Sequence, residues 1–510
     1  MLRKMFLGLV CLLLGTSLML GMGSAVMAQT ETTVTGTDTY PSDVAAVQAA
    51  VNTYDIVKLV GTFNFGTGGT VFLHGTGREI ILRGQVDSYG NPLTTIKGGY
   101  LTVSVGIKPR MWCPVEAAKY YVDLLGVSIL IPFPPYVIKG IGKSDCTPVK
   151  FGVENIRFEK PWGFAIWIAN ATGGYVRNCH FDDAKQVACS KISNPSPPPR
   201  PDKSEPVAMS VFILPAGLQN PVQENKGGPD MISGQISITD NKIWGKYEVS
   251  NAYFPDAVKF DPIVNDIPVG TYYTKGQFAG IGSLCSAAEV TIARNELSGT
   301  RCGIIVGSAT GNLPVLGNHV VTDNIVELDV IGNIPTWMSK DGILVFVASK
   351  FKPIVQTTIT SNEVTIGDVQ EGIGCGMRVV QSNNTTITNN KIECQLPAAG
   401  NADLEGIIIR NSSGCYVGQN IIRGVAKYGI NVLAPTTPDV WALNNAEVFQ
   451  PSQNNSFIGN NLATLDVTTT YSFDSTSCGN VVKGYTGGNK ELVIDNCLDT
   501  ENPNDITGVK

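Results

Sequence analysis

The sequence predicts an all-β fold, a parallel solenoid in which short strands stack coil upon coil. Three observations favour it: an Asn that recurs between apolar residues, an apolar element that alternates with it, and a composition rich in turn residues. The chain has 510 residues, including 55 Gly and 29 Pro, and only 16% of them are charged. This composition suits a sheet-rich protein with many turns and excludes a long coiled coil or a charged disordered chain.

The first repeat places an Asn three residues after one apolar residue and two residues before another. Asn tolerates the left-handed backbone of sharp turns, and stacked Asn side chains can hydrogen-bond along a ladder. Two upstream copies carry Ile156 and Cys179 instead of Asn. The repeat therefore predicts one turn that recurs in every coil. The Asn residues of the repeat are Asn241, Asn295, Asn324, Asn362, Asn390, Asn420 and Asn460.

The second repeat is a small residue followed by a short apolar run, as in Gly406-Ile407-Ile408-Ile409. Three copies, beginning at Ala165, Gly376 and Gly406, start 14 residues before the next Asn or Cys of the first repeat. One coil cannot bury its apolar side alone, whereas a stack buries a continuous core. Alternating βα units are the alternative, but the segments between the repeats lack helical periodicity.

The start of the chain beyond residue 40 also fits a solenoid. A short amphipathic helix is predicted from Ser42 to Asn52, with Ser42 or Asp43 as its N-cap, and it could cover the open end of the stack. Strand-like segments follow at 56–63, 79–84 and 95–99.

This order of helix and strands resembles right-handed parallel β-helix proteins of the pectate-lyase-like superfamily. The Asn repeats are similar to those of NosD-like periplasmic proteins. The resemblance covers roughly residues 40–100 and 150–485. It implies a right-handed parallel β-helix but no particular activity, because this scaffold hosts lyases, hydrolases, epimerases and proteins that are not enzymes.

The N-terminus predicts export. Arg3 and Lys4 precede an uncharged stretch that ends in small residues near Ala28, which is typical of a cleaved secretory signal at residues 1–28. An uncleaved anchor is the alternative. The predicted layout is then a β-helix domain at 29–485 and a tail at 486–510, with long excursions at 100–150, 190–235 and 245–283. Because long loops on a rigid scaffold often carry function, we expect the site on the side that these excursions flank.

A secreted or periplasmic location permits disulfides. By local spacing the candidate pairs are Cys113–Cys146, Cys179–Cys189 and Cys478–Cys497, although sequence alone does not determine connectivity. The cysteines form no paired CxxC units and the three histidines are dispersed, which argues against a zinc site.

The candidate catalytic residues are Asp182 and Asp183, the only adjacent acidic pair in the repeat region. Two carboxylates can divide acid and base roles across a glycosidic bond, but neighbours in a strand point opposite ways, and a solvated turn pair is the alternative. The polygalacturonase-like, pectate-lyase-like and epimerase-like signatures are absent. Asp256 or Asp261 could join this pair around calcium, yet no dense acidic loop supports it, so no cofactor is expected.

The candidate binding residues are Trp167 and Arg378, which we expect on the outward side of equivalent strands, where they could stack on and hydrogen-bond a glycan. The alternative is that this row of outward side chains, here called the glycan stripe, is covered and forms a second small core. With 37 basic and 43 acidic residues and a pI near 5.3, the chain is not a typical nucleic-acid binder. The sequence therefore favours an extracytoplasmic protein that binds polysaccharide, the alternative being a polysaccharide lyase or glycoside hydrolase.

Overall fold

The computed structural model describes most of the repeat region of the chain. The described residues are 29–66, 69–75, 77–99, 102–106, 121–124, 127–130, 147–161, 164–182, 188–189, 204–206, 209–213, 232–245, 271–272, 279–284, 288–300, 302–308, 318–328, 339–347, 356–367, 373–395, 403–433, 451–463, 465–484 and 493–506.

Two parallel sheets wind into a right-handed parallel β-helix, as predicted, because each coil adds its strands beside those of the coil before. The first sheet, here called face A, has 13 strands among the described residues. Its strands are Glu31–Thr35, Ile56–Val60, Glu79–Gly84, Val149–Glu154, Ala171–Arg177, Gln235–Thr239, Glu289–Ala293, Asn318–Thr322, Gln356–Thr360, Thr386–Thr388, Tyr416–Gly418, Ser456–Ile458 and Val481–Lys483.

The second sheet, within the part of the chain that the structure describes, has 21 strands in two rows, here called face B and face C. Face B comprises Thr62–Asn64, Thr94–Lys97, Ile156–Glu159, His180–Asp182, Lys242–Trp244, Glu296–Ser298, Ile325–Leu328, Glu363–Ile366, Lys391–Cys394 and the first part of Ile421–Leu433. Face C comprises Val71–Leu73, Val103–Val105, Phe164–Ile168, Met209–Ile213, Ala279–Ser283, Cys302–Ser308, Ser339–Val347, Ile373–Val380, Asp403–Arg410, the rest of Ile421–Leu433, Leu465–Phe473 and Val493–Asp495.

Alternate residues of all three faces point inward and form one continuous core. Phe158 and Phe181 in adjacent coils stack with their ring centroids 5.1 Å apart. The core needs the whole stack, because each coil contributes only a few apolar side chains to it.

The predicted Asn ladder is confirmed at the turn between faces A and B. Asn241 Nδ2 donates to Asn295 Oδ1 at 2.9 Å, and the same bond links each ladder Asn to the next as far as Asn460. The left-handed backbone, however, belongs to the residue before each Asn, as at Asp240 (φ 60°) and Ser361 (φ 57°). The amide is thereby free to turn inward and satisfy backbone groups of neighbouring coils.

The N-terminal helix spans Ser42–Thr53 and lays Val47 and Val51 on the core, as predicted. Its N-cap is Pro41, and neither Ser42 nor Asp43 caps it. The Asp43 carboxylate instead accepts hydrogen bonds from the backbone N–H groups of Thr37, Thr39 and Asn64. Burial opposes its ionisation, but these bonds outweigh that effect and lower its pKa.

The predicted excursions contain strands of the helix itself. Met209–Ile213 and Ala279–Ser283 are paired within face C, so the chain returns to the coil inside both later excursions. Apart from the coil, Tyr121–Leu124 and Val127–Leu130 form an antiparallel pair that Ser204–Pro206 extends. Ala188–Cys189 pairs with Thr271–Tyr272.

The predicted tail also belongs partly to the coil. Val493–Asp495 pairs with face C, and Asn504 extends a second ladder that runs from Asn455 through Asn480. The predicted signal at residues 1–28 lies outside the described residues. Among the residues described, none of the helices has the length and apolar character needed to cross a membrane.

Candidate functional site

The predicted glycan stripe lies on the outward side of face C. Trp167 stands in register with Phe212, while Arg378 stands between Leu344 and Ile408 in the coils on either side of it. The expected exposure is not found, since Trp167 is only 2% exposed and Arg378 only 4%. Because the apolar neighbours of Arg378 are buried as well, this side of face C is a second buried layer rather than an open platform.

A group of polar side chains interrupts that buried layer. Asp341, Cys375 and Glu405 occupy equivalent positions in three successive coils. Arg378 Nε donates to Asp341 Oδ1 at 2.8 Å, and Asn431 Nδ2 donates to Glu405 Oε2 at 3.0 Å. These five residues, here called the Arg378 cluster, are each at most 5% exposed. Charged residues are seldom buried so completely without a functional or pairing role.

The local sequence explains this arrangement. A glycine directly follows each of Asp341, Cys375 and Glu405. These glycines are Gly342, Gly376 and Gly406. A Cβ at any of these glycines would lie 2.5–2.7 Å from the carbonyl oxygen of the corresponding glycine in the next coil. Only glycine therefore permits the close approach of the coils here.

The electrostatics of the cluster favour a cationic Arg378. Burial opposes its charge, but the carboxylates of Asp341 and Glu405 raise its pKa further above its usual value. Burial raises the pKa of the Cys375 thiol well above its ordinary range, so this thiol is neutral at pH 7. Arg378 Nη2 and Asn431 Oδ1 are buried and have no hydrogen-bond partner among the described residues.

The cluster thus offers a guanidinium donor and two carboxylates. Asp341 and Glu405 are two coils apart, which places their Cα atoms roughly 9–10 Å from each other at the usual strand spacing. Paired carboxyl groups about 6.5–9.5 Å apart serve inverting glycoside hydrolysis, so the spacing permits such chemistry. Among the described residues no group of His, Cys, Asp and Glu is able to hold a metal ion.

Asp182 lies elsewhere, on the outward side of face B. Its carboxylate accepts a hydrogen bond from Arg157 Nε at 2.6 Å, and Arg157 also lies 3.5 Å from Glu159. The structure therefore places Asp182 in a partly exposed ion pair. Its predicted partner Asp183 lies outside the described residues, as do Asp256 and Asp261.

The predicted disulfides have different outcomes. Cys478 and Cys497 form a disulfide with an S–S distance of 2.08 Å. The Cys179–Cys189 prediction is wrong, because Cys179 is a free, fully buried thiol whose pKa burial raises to about 12. It fills a ladder position, where its N–H donates to Asn241 Oδ1 and its side chain faces the coil interior. Cys113 and Cys146, and the side chain of Cys189, lie outside the described part of the chain.

Sequence reasoning found Arg378 but missed its neighbours. Asp341, Cys375 and Glu405 each directly precede the glycine that starts a copy of the second repeat, a column visible in the sequence. The cluster also lies C-terminal to all three predicted excursions, where we did not expect the site.

Comparison with known proteins gives similarity only to solved structures. A mannuronan C-5 epimerase A-module from Azotobacter vinelandii is 11% identical, with a TM-score of 0.37 over 88% of this chain and 95% of that chain. An alginate lyase in complex with a trisaccharide is 11% identical, with a TM-score of 0.41 over 92% and 88%. The tailspike protein 3 of bacteriophage CBA120 is 10% identical, with a TM-score of 0.35 over 92% and 59%.

No protein-family model matches the chain, and no curated protein matches it. At identities and TM-scores this low, the similar structures say nothing about the ligand or reaction of this chain.

Proposed function

We propose that this protein is an extracytoplasmic β-helix that binds an acidic polysaccharide at the Arg378 cluster. The observation that carries the proposal is the buried, unpartnered Nη2 of Arg378. A buried polar group without a hydrogen bond costs about 1–3 kcal/mol, more when it is charged. A uronate carboxylate or a sulfate ester would satisfy this donor, because guanidinium groups match such oxyanions in shape and charge.

The two carboxylates set the orientation of such a ligand. Asp341 already accepts from the Nε side of the guanidinium, so the ligand approaches Arg378 from the Nη2 side. Because Nη2 is buried, this approach requires the layer over face C to open. Asp341 and Glu405 would repel a second acidic group and accept hydrogen bonds from sugar hydroxyls. A polymer with one acidic group per bound segment fits this pattern better than a densely charged one.

The first test measures binding by affinity electrophoresis of a sparsely acidic polysaccharide, glucuronoxylan, beside the densely charged alginate and polygalacturonate. We expect Arg378→Lys to weaken binding at least about tenfold, because Lys keeps the charge but loses the fork of donors. Glu363→Gln, which alters an exposed ion pair on face B, is the matched control and should leave binding unchanged. Thermal unfolding of each variant separates lost binding from lost folding.

Hydrogen exchange then locates the ligand. Glycan binding at the cluster should slow amide exchange in the strands Ile373–Val380 and Asp403–Arg410. Equal binding by wild type and a folded Arg378→Lys variant, or the failure of every acidic polysaccharide to bind, would overturn the proposal.

Hydrolysis of the bound glycan is a second candidate function, and the two-coil spacing of Asp341 and Glu405 favours it. Glu405→Gln should then abolish the release of reducing ends while binding persists. Asp341→Asn should abolish it too, but it also removes the partner of Arg378, so its fold is checked by thermal unfolding. The spacing further predicts inversion at the anomeric carbon, which proton NMR of the first product would report.

The extracytoplasmic location rests on the predicted signal at residues 1–28. Exported protein should begin at Gln29 when its N-terminus is sequenced.

A further inference from the structure

An exposed indole lies on face B, on a different face from the Arg378 cluster. Trp244 ends the strand Lys242–Trp244, whose central residue, Ile243, points into the core. By alternation Trp244 points outward, and it is 52% exposed. An exposed indole on a rigid strand presents a flat aromatic platform on which the apolar side of a sugar ring can stack.

The neighbours of Trp244 in the adjacent coils are polar and fixed by the strand register. Asp182 precedes it and Ser298 follows it in the same outward row, while His180 and Lys242 stand in the row beside it. We call these five residues the Trp244 surface. Together they surround an aromatic face with hydroxyl, imidazole, ammonium and carboxylate groups, which are the groups that hydrogen-bond sugar hydroxyls.

Glycines follow this surface in two successive coils. Gly245 follows Trp244 directly, and Gly299 follows Ser298 in the next coil. A Cβ at Gly299 would lie 1.8 Å from the carbonyl oxygen of Gly245, and Gly299 has a φ of 67°, so only glycine is tolerated there. The backbone turn after Trp244 therefore depends on glycine.

The charges of the surface are already balanced. Asp182 pairs with Arg157 at 2.6 Å, and Lys242 pairs with Glu296 at 3.2 Å. Burial and the charge of Lys242 lower the pKa of His180, so its ring is neutral at pH 7. An acidic ligand would have to compete with these ion pairs, whereas a neutral ligand can hydrogen-bond to them intact.

We propose that the Trp244 surface is a second carbohydrate site, which binds a neutral sugar residue of an extended glycan. The apolar side of the sugar ring stacks on the indole of Trp244. Its hydroxyl groups hydrogen-bond to Asp182, Ser298 and His180. This site does not depend on the Arg378 cluster, because the two occupy different faces and different coils.

Affinity electrophoresis in gels that contain a soluble β-glucan, xylan or galactomannan tests the proposal, with alginate as the acidic comparison. Trp244→Ala should weaken retention by a neutral glycan about three- to tenfold, which corresponds to the stacking contribution of one aromatic ring. Trp244→Phe should retain part of the affinity. The control is Tyr416→Ala, which removes an aromatic ring that is 38% exposed on face A, several coils away, and should change nothing.

Thermal unfolding and size-exclusion chromatography accompany the gels. The half-exposed indole should be removable without loss of the fold, and the chromatography reports a different occupant. Equal retention of Trp244→Ala and wild type, no retention by any neutral glycan, or a dimer that Trp244→Ala dissociates would each overturn the proposal. Arg378→Lys should leave neutral-glycan retention intact, so failure at one site is distinguishable from failure at the other.

Discussion

The outward sides of faces B and C carry the same kinds of residues in opposite surroundings. On face B, Lys391 and Glu363 pair at 3.3 Å with both side chains well exposed. On face C, Arg378 and Asp341 pair at 2.8 Å with both side chains buried. Strand alternation is the same on both faces, so the difference lies in solvent access alone.

That difference decides what each ion pair contributes. In water the attraction of an exposed pair is screened and nearly offset by the entropy of holding two long side chains. In a buried pair the charges have lost their hydration, so each depends on the other. We expect the pair on face C to be essential to its surroundings and the pair on face B to be dispensable.

Loss of one charge on face C should have the largest effect. Asp341→Asn leaves the Arg378 guanidinium buried without its counter-ion, which should lower the free energy of unfolding by about 3–5 kcal/mol. Urea denaturation measures the change. The double variant Asp341→Asn/Arg378→Met should recover part of the loss, because it removes the orphaned charge. A single-variant cost below about 1 kcal/mol would show that water reaches the pair.

The histidines extend the comparison to pH. His319 is completely buried inside the coil, where burial lowers its pKa to about 4 and its Nε2 lies 2.9 Å from Ser283 Oγ. The unfolded chain binds a proton near the usual pKa of about 6.5, whereas the native state does not until about pH 4. Stability is therefore lost as the pH falls from about 6.5 to 4, by at most about 3 kcal/mol.

Comparison of wild type with His319→Gln isolates this contribution, since carboxylates add their own acid dependence to both proteins. The difference between the two unfolding free energies should vary with pH across this window. His180→Gln on half-exposed face B is the control and should give a weaker dependence. A pH-independent difference for His319 would contradict the assigned burial.

The smallest effect is expected on face B itself. A double-mutant cycle on Lys391 and Glu363 should give a coupling energy below about 1 kcal/mol. Addition of 1 M salt should remove most of it, because the Debye length then falls to about 3 Å. A coupling that survives high salt would mean that this pair is more protected than its exposure indicates.

The fold was predictable because its repeats are local in sequence. The Asn motif fixes one corner of each coil, and the Gly-led apolar runs fix another. The position of the left-handed residue was not predictable, since both Asn and the residue before it, such as Asp240 or Ser361, tolerate that conformation.

The candidate sites were only partly predictable, for a physical reason. Alternation correctly assigns Trp167 and Arg378 to outward positions, but it does not say which outward side is covered. Burial of Trp167 depends on packing by residues distant in sequence. Trp244 was identifiable in principle, because it lies three residues after Asn241 and next to an inward Ile.

The Asn ladder also bears on how such a molecule changes in length. Consecutive rungs from Asn241 to Asn460 make the same bonds, although 28 to 54 residues separate them along the chain. Each Asn–Asn bond depends on the distance between adjacent coils in space and not on the length of the chain that connects them. New segments can therefore be added between rungs, or whole coils gained and lost, without disturbing the rest. The scaffold can therefore stay the same while the segments between the ladder residues vary.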